Sequence, residues 1–265
     1  KSATSEVHLI RFPTAYELFE EMQPRQTSQL QEMNQLLEQQ RQIRQDAQQL
    51  RESIERRLEE TRPIGERMQQ SPAQWEEQQK MQQLGHKQEE LGEDLQRLQS
   101  ELQDTLQRLN EPGSFSLKTI QKMERIQDLL NQLLSDEMKM MMYQFQKTLE
   151  QIAREQPLDA MDDLQLSLED FEENLDRMLA LLESSMLEQQ VEAMMRQAER
   201  LQQEQDTLQE ETQRLEEKQA ELDSQGELSP EEQADLDRWK EELARRQEEL
   251  QSRTEELLQQ MQQMA

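Results

Sequence analysis

The sequence predicts an all-α chain: long antiparallel helical hairpins and coiled coils around a central helical bundle, with a short extended N-terminal segment. Three observations carry this. Apolar residues are only 32% of the 265 and aromatics 3%, against the roughly 45–50% apolar content of an ordinary globular domain. Gln makes up about 18%, Glu and Leu are close behind, and there are five Gly and seven Pro; strong helix formers with few breakers argue against a sheet-based fold. Apolar residues also recur every seven positions. Leu187, Met194, Leu201, Leu208, Leu215 and Leu222 form one row, complemented by Val191, Ala198, Gln205, Thr212 and Gln219. Leu84, Leu91, Leu98 and Thr105 interleave with Gln88, Leu95, Leu102 and Leu109. Leu236, Leu243, Leu250, Leu257 and Met264 form a third series, and Leu36, Ile43 and Leu50 with Met33, Gln40, Ala47 and Ile54 a fourth. Low hydrophobicity with a net charge of −28 is also a signature of disorder. Sustained heptads decide for helices with narrow apolar seams, which need only about two apolar residues in seven.

The elements follow in order. Val7 and Leu9 alternate with Glu6 and His8, as on a strand. With no partner strand in sight, 1–13 reads as the extended tail of an upstream domain, and the start at Lys1 as that of a fragment. Thr14 caps a short helix carrying Tyr16, Leu18, Phe19 and Met22, and Pro24 is expected to kink or interrupt it. A helix over 27–61 meets a break at Arg62-Pro63-Ile64-Gly65; Ser71-Pro72 starts the next, which runs to Asn110. Glu111-Pro112-Gly113-Ser114 is a turn. A helix from Ser116 restarts at Ser135-Asp136-Glu137 and ends before Pro157. Ser167 to Asp170 resembles a capping box opening the longest helix, to Asp223. Ser229-Pro230 opens the last, with Glu231 and Glu232 complementing its dipole. Short connections favour antiparallel neighbours. The expected organisation is a tail over 1–13, an N-terminal hairpin over 14–110, a central Met-rich bundle over 111–200 and a C-terminal coiled-coil hairpin over 201–265.

Composition narrows the function. With no Cys, disulfides and cysteine metal sites are out. No run approaches the roughly 18 apolar residues of a membrane span. A −28 chain repels nucleic acid on average, and the early arginines (Arg41, Arg44, Arg51, Arg56, Arg57, Arg62, Arg67) lack aromatic interleaving, so they read as partners of an acidic facing helix. His8 and His86 stand alone, without the partner set of a metal or acid–base site. Acidic clusters such as Glu169-Asp170 with Glu172-Glu173 lack a calcium loop and read as solvated faces. No phosphate loop or nucleophile motif occurs, so no catalytic residue, cofactor or metal is expected.

Met138-Lys139-Met140-Met141-Met142 stands apart. Such runs build bundle core, adaptable partner-binding surface or, at the margin, a thioether site for Cu(I). The partner-binding reading names Met138, Met141, Met142, Tyr143, Phe145, Met194 and Met195. Trp75 and Trp239 anchor either hairpin ends or a partner. The heptads serve intramolecular hairpins and homo-oligomers equally well, and Gln88, Gln205 and Gln219 are candidates to set register at seam positions.

Arg11-Phe12-Pro13-Thr14 leading into Glu17-Leu18-Phe19-Glu20-Glu21-Met22, Lys122 to Leu130 with Leu133–Met142, and Leu164-Gln165-Leu166-Ser167 with Phe171-Glu172 and Leu175 to Leu179 together resemble the C-terminal region of a large uncharacterised bacterial family of membrane-anchored proteins. That resemblance implies membrane helices and a β-rich part upstream, membrane contact only through those segments, and a place on the extracytoplasmic side of the cell envelope. It brings no catalysis and no ligand. The expected function is a non-catalytic scaffold or adaptor region acting through helix packing on protein partners. The alternative is a holdase-like chaperone with coiled-coil arms.

Overall fold

The computed structural model describes residues 14–61, 72–110, 115–154, 157–225 and 230–264. The expected tail over 1–13, the break at Arg62–Gly65 and the turn at Glu111–Ser114 lie outside them. The chain is all-α. Among the described residues the elements are α1 (Ala15–Thr61), α2 (Pro72–Leu109), α3 (Leu117–Gln132), a π-helical turn (Leu133–Glu137), α4 (Met138–Ala153), α5 (Leu158–Gln225) and α6 (Pro230–Met264).

Local chemistry explains the helix ends. Thr14 and Glu17 form a reciprocal capping box: Glu17 N–H donates to Thr14 Oγ1 at 3.2 Å and Thr14 N–H to Glu17 Oε2 at 2.8 Å, which satisfies two orphan donors at once. Ser116 caps α3 by accepting from Thr119 N–H. Three expectations are corrected. Pro24 does not interrupt α1. It and Glu20, whose carbonyl loses its donor, are both exposed, where a missing helix hydrogen bond costs least because solvent can replace it. Ser135 does not restart a helix; residues 133–137 keep right-handed helical backbone, and Met138 N–H reaches back five residues to the Leu133 carbonyl. One residue is thus absorbed as a π-bulge. Ser167 does not open α5, which starts nine residues earlier; the Ser167 hydroxyl donates to the Asp163 carbonyl at 3.1 Å, as a mid-helix serine does.

The chain divides into two compact units. One holds residues 20–189, and the other holds 1–19 with 190–265. The first is an up-down-up-down four-helix bundle. Lys87–Asp46 at 2.9 Å and Gln29–Thr105 at 3.1 Å set α1 antiparallel to α2. Gln74 Nε2 reaches the Ile152 carbonyl at 2.7 Å, pairing α2 with α4. Thr148 Oγ1 to the Ala160 carbonyl and Lys122 to Ser184 pair α4 and α3 with α5. Arg51–Asp162 at 2.6 Å and Arg41–Glu172 at 3.2 Å close the square between α5 and α1, so of the early arginines Arg41, Arg44 and Arg51 meet an acidic facing helix; Arg57 pairs with Glu77 of α2, Arg56 donates to the Glu52 carbonyl of its own helix, and Arg62 and Arg67 lie outside the described residues. Residues of the expected hairpin over 14–110 and of the expected bundle over 111–200 thus share one core, in which Met33, Ile43, Leu95, Leu102, Ile126, Phe171 and Leu182 are buried. The second and fourth heptad series are buried throughout.

Polar side chains also enter this core. Gln26 donates to Gln189 at 2.6 Å, and Gln189 to Ser185 at 3.2 Å. Gln88 is fully buried, yet neither amide atom has a hydrogen-bond partner. On either side of it, Gly85 and Gly92 let α4 approach: an added Cβ would sit 3.9 Å from the Phe145 ring and 3.1 Å from Met138 Cε. An unpartnered buried amide costs about 1–3 kcal/mol. Gln88→Met therefore raises unfolding stability by about that amount, read from urea denaturation; an unchanged or lowered midpoint contradicts this account of the seam.

Candidate interaction surface

The expected partner-binding residues do not share a face. Met141 and Phe145 are buried, and Met138 is half-buried against Gly92. Positions 138, 141 and 145 fall on one helical stripe, which the bundle covers. Met142 is half-buried. Tyr143 points outward at 61% exposure. Glu137, at the end of the π-turn, has its carboxyl raised above the usual range by burial, with Asn174 Nδ2 3.0 Å from both oxygens opposing the rise. Met194 and Met195 lie in the other unit, where Met194 is buried among leucines and Met195 is 60% exposed. As a surface, the set is thus corrected to Tyr143 and Met195, with Met138 and Met142 contributing only in part. The two tryptophans separate: Trp75 is exposed, and Trp239 packs against the leucines of the second unit. His86 is a surface residue 3.7 Å from Glu89.

The second unit is built on a hairpin of α5 and α6. Met194, Leu201, Leu208 and Leu215 of α5 pack with Leu236, Leu243, Leu250 and Leu257 of α6. Three residues after each ladder position comes a polar or aromatic rung. Arg253 Nη1 meets Glu204 at 2.5 Å, Arg246 pairs with Glu211, and Lys218 Nζ lies 5.9 Å from the Trp239 ring centroid. These pairs step by seven in opposite directions, which fixes an antiparallel register. Gln260 and Tyr16 bond at the far end, with Gln260 Nε2 2.6 Å from the phenol oxygen. The polar rungs flank an open groove of about 440 Å³ lined by Arg200, Glu204, Thr207, Arg246, Glu249 and Arg253.

The other side of the ladder is open. The expected complementary row fails there: Val191, Ala198, Gln205 and Thr212 are exposed and Gln219 is half-buried, because α6 packs over the row of Glu204 and Glu211 instead. Leu187, which belongs to the first unit, is also exposed. In a helix, steps of one and four residues turn to one side of a reference position, and a step of three turns to the other. From Met194, Leu201 and Leu208, and from Leu243, Leu250 and Leu257 of α6, those steps lead on α5 to Met195, Gln202 and Gln209 and to Ala198, Gln205 and Thr212. On α6 they lead to Ala244, Gln251 and Leu258 and to Gln247, Thr254 and Met261. All twelve are exposed and none is charged, in a chain that is 33% charged; from Leu215 and Leu236 the same steps reach Glu216, Asp237 and Lys240, so the charge-free stretch covers 195–212 and 244–261 and ends there. Because the two helices are antiparallel, both sets lie on the same side of the hairpin. The periodicity that predicted the ladder contained this signal, in the charge-free rows on both helices.

Among the described residues, no group of three or more His, Cys, Asp or Glu is placed to hold a metal ion, and no helix is long and apolar enough to cross a membrane. No protein-family model, curated protein or solved structure matches the chain.

If the polar rungs fix the register, their charges must be matched. Glu211→Arg alone sets two guanidinium groups together and lowers the unfolding midpoint, while Glu211→Arg with Arg246→Glu recovers it. The coupling from a double-mutant cycle is about 0.3–1 kcal/mol, as for a partly exposed pair. A coupling of zero removes this pair from the account.

Proposed function

We propose that this chain is a non-catalytic helical interaction region, a scaffold or adaptor element that works by presenting helix faces to protein. The observation that carries the reading is the charge-free stretch of the α5–α6 hairpin over 195–212 and 244–261. A two-helix seam normally uses about two apolar positions in seven on each helix. Here the hairpin buries one, and the rows that would complete the seam face outward, with Met195, Leu258 and Met261 each at least half exposed. Side chains of this kind, set along a helix, match the helix-packing mode of protein recognition. The resemblance noted on Lys122–Leu130 and Leu164–Leu179 supports placing this region in a larger membrane-anchored bacterial protein, on the extracytoplasmic side.

The test is site-specific photo-crosslinking in the source cell. A photoreactive residue at Gln205 or Gln251 yields a small number of stoichiometric protein adducts, while one at Glu210 or Glu248, on the charged side, yields none. Adducts of equal yield from both sides contradict a dedicated face. A broad spread of unfolded clients from the open face would replace the scaffold by a holdase.

A further inference from the structure

We infer that the occupant of this open face is a second copy of the same chain, and that two hairpins close into a four-helix bundle about a two-fold axis parallel to the helices. This rests on the proposed reading of the face as an interaction surface and names its partner.

The register of the hairpin carries the argument. Glu204–Arg253 and Glu211–Arg246 fix the level of every residue on α5 against α6. A two-fold axis along the hairpin keeps those levels and lays α5 of one copy on α6 of the other, antiparallel. Met195 then meets Met261 of the second copy, and Ala198 meets Leu258. Gln202 meets Thr254, Gln205 meets Gln251, Gln209 meets Gln247, and Thr212 meets Ala244. Apolar side chains oppose apolar ones at one end, and amides oppose amides or a hydroxyl in the middle. Each such contact occurs twice, as an isologous interface requires. A two-fold axis across the helices would instead set α5 on α5 and bring the methionine end against glutamines and Thr212.

The chemistry of the face suits a like partner. Each amide carries donors and an acceptor, so glutamine is complementary to glutamine, whereas a row of Glu or Arg is not complementary to itself. Two chains of charge −28 repel unless their acids stay at the rim. The face meets that condition, since the charged residues of 191–215 and 243–261 lie on its edges or its far side. Extent is adequate as well. Eighteen residues on each of two helices, about 27 Å long and about 10 Å wide, give a projected area of about 540 Å², which side-chain relief raises toward the ~800 Å² per partner of a stable interface.

Two measurements on the full chain decide it. In sedimentation equilibrium the chain runs at twice 31.8 kDa, and association strengthens as salt screens the rim. Ala198→Glu with Leu258→Glu, both exposed in the single copy, halves the mass at unchanged helical circular dichroism. Because the chain has no Cys, an engineered disulfide reports geometry cleanly. An equimolar mixture of Q205C and Q251C chains oxidises to a joined pair, while either variant alone stays single. A chain that sediments as one copy at all concentrations overturns the proposal, as does a dimer indifferent to the double Glu variant. Q205C joining to itself as readily as the mixture overturns the arrangement. A single-copy chain that still forms adducts with another protein at Gln205 would sink the second copy and leave the interaction reading standing; no adduct of any kind would sink both.

Discussion

One leucine per heptad on each strand holds α5 against α6, and the character of the whole second unit depends on that sparse ladder. Burying a single leucine is worth about 1.5–3 kcal/mol, and intervening rungs of partly exposed ion pairs add little each. Those rungs do something else. A slip of one heptad keeps one Glu–Arg pair and loses the other, and in one direction it sets Lys218 against Arg246, so Glu204–Arg253, Glu211–Arg246 and Lys218–Trp239 together favour this register over ones that leucines alone would leave degenerate. The same economy leaves the opposite side of the ladder unfilled. A face that the fold does not need for itself is thereby kept at fixed spacing for something else.

The bundle over 20–189 follows a different regime. There α5 packs against both α1 and the α3–α4 pair, and two apolar rows per helix are buried. Apolar burial is dense enough to accommodate polar intrusions such as Gln26–Gln189 and the unpartnered Gln88 amide. Gly85 and Gly92 bring α4 close to α2, and the π-turn at 133–137 restores phase where α3 passes into α4. Of the methionines of 138–142, buried Met141 and half-buried Met138 belong to this packing problem, whereas Met140 is exposed. An unbranched thioether fills the irregular space beside a glycine better than a branched side chain does.

Much of this was legible in the amino-acid order. The heptads of Leu84–Leu109 and Met33–Ile54 predicted buried seams, and both are buried. The caps at Thr14 and Ser116 were readable as well. Two kinds of feature were not. Pro24 and Ser167 carry strong local signals for a boundary, but both sit inside long helices whose other residues favour continuation, and a single breaker does not overcome the cooperativity of its neighbours. The heptad also offers two flanking rows for each leucine, four residues on or three residues on, and apolarity alone favours Ala198, Gln205 and Thr212. The fold uses Glu204, Glu211 and Lys218, because α6 supplies Arg253, Arg246 and Trp239 at the same levels. That choice depends on the partner strand, so it cannot be read from α5 by itself. The candidate site followed suit: Met195 and the row of Ala198, Gln205 and Thr212 were legible, whereas Gln202, Gln209, Gln247 and Gln251 were hidden by the abundance of glutamine.

The central claim is that α5 is one helix under two packing regimes, dense before residue 189 and sparse after it. Native-state hydrogen exchange along α5 tests this most directly, with the Ala198→Glu/Leu258→Glu chain at a concentration where it is a single copy. The account predicts slow exchange over 160–185, close to the limit of global unfolding, and exchange at least tenfold faster over 197–222, matched by α6. Uniform protection from 160 to 222 would contradict it, since the ladder would then be as strong as the bundle and the open face would owe nothing to a deficit of buried rows.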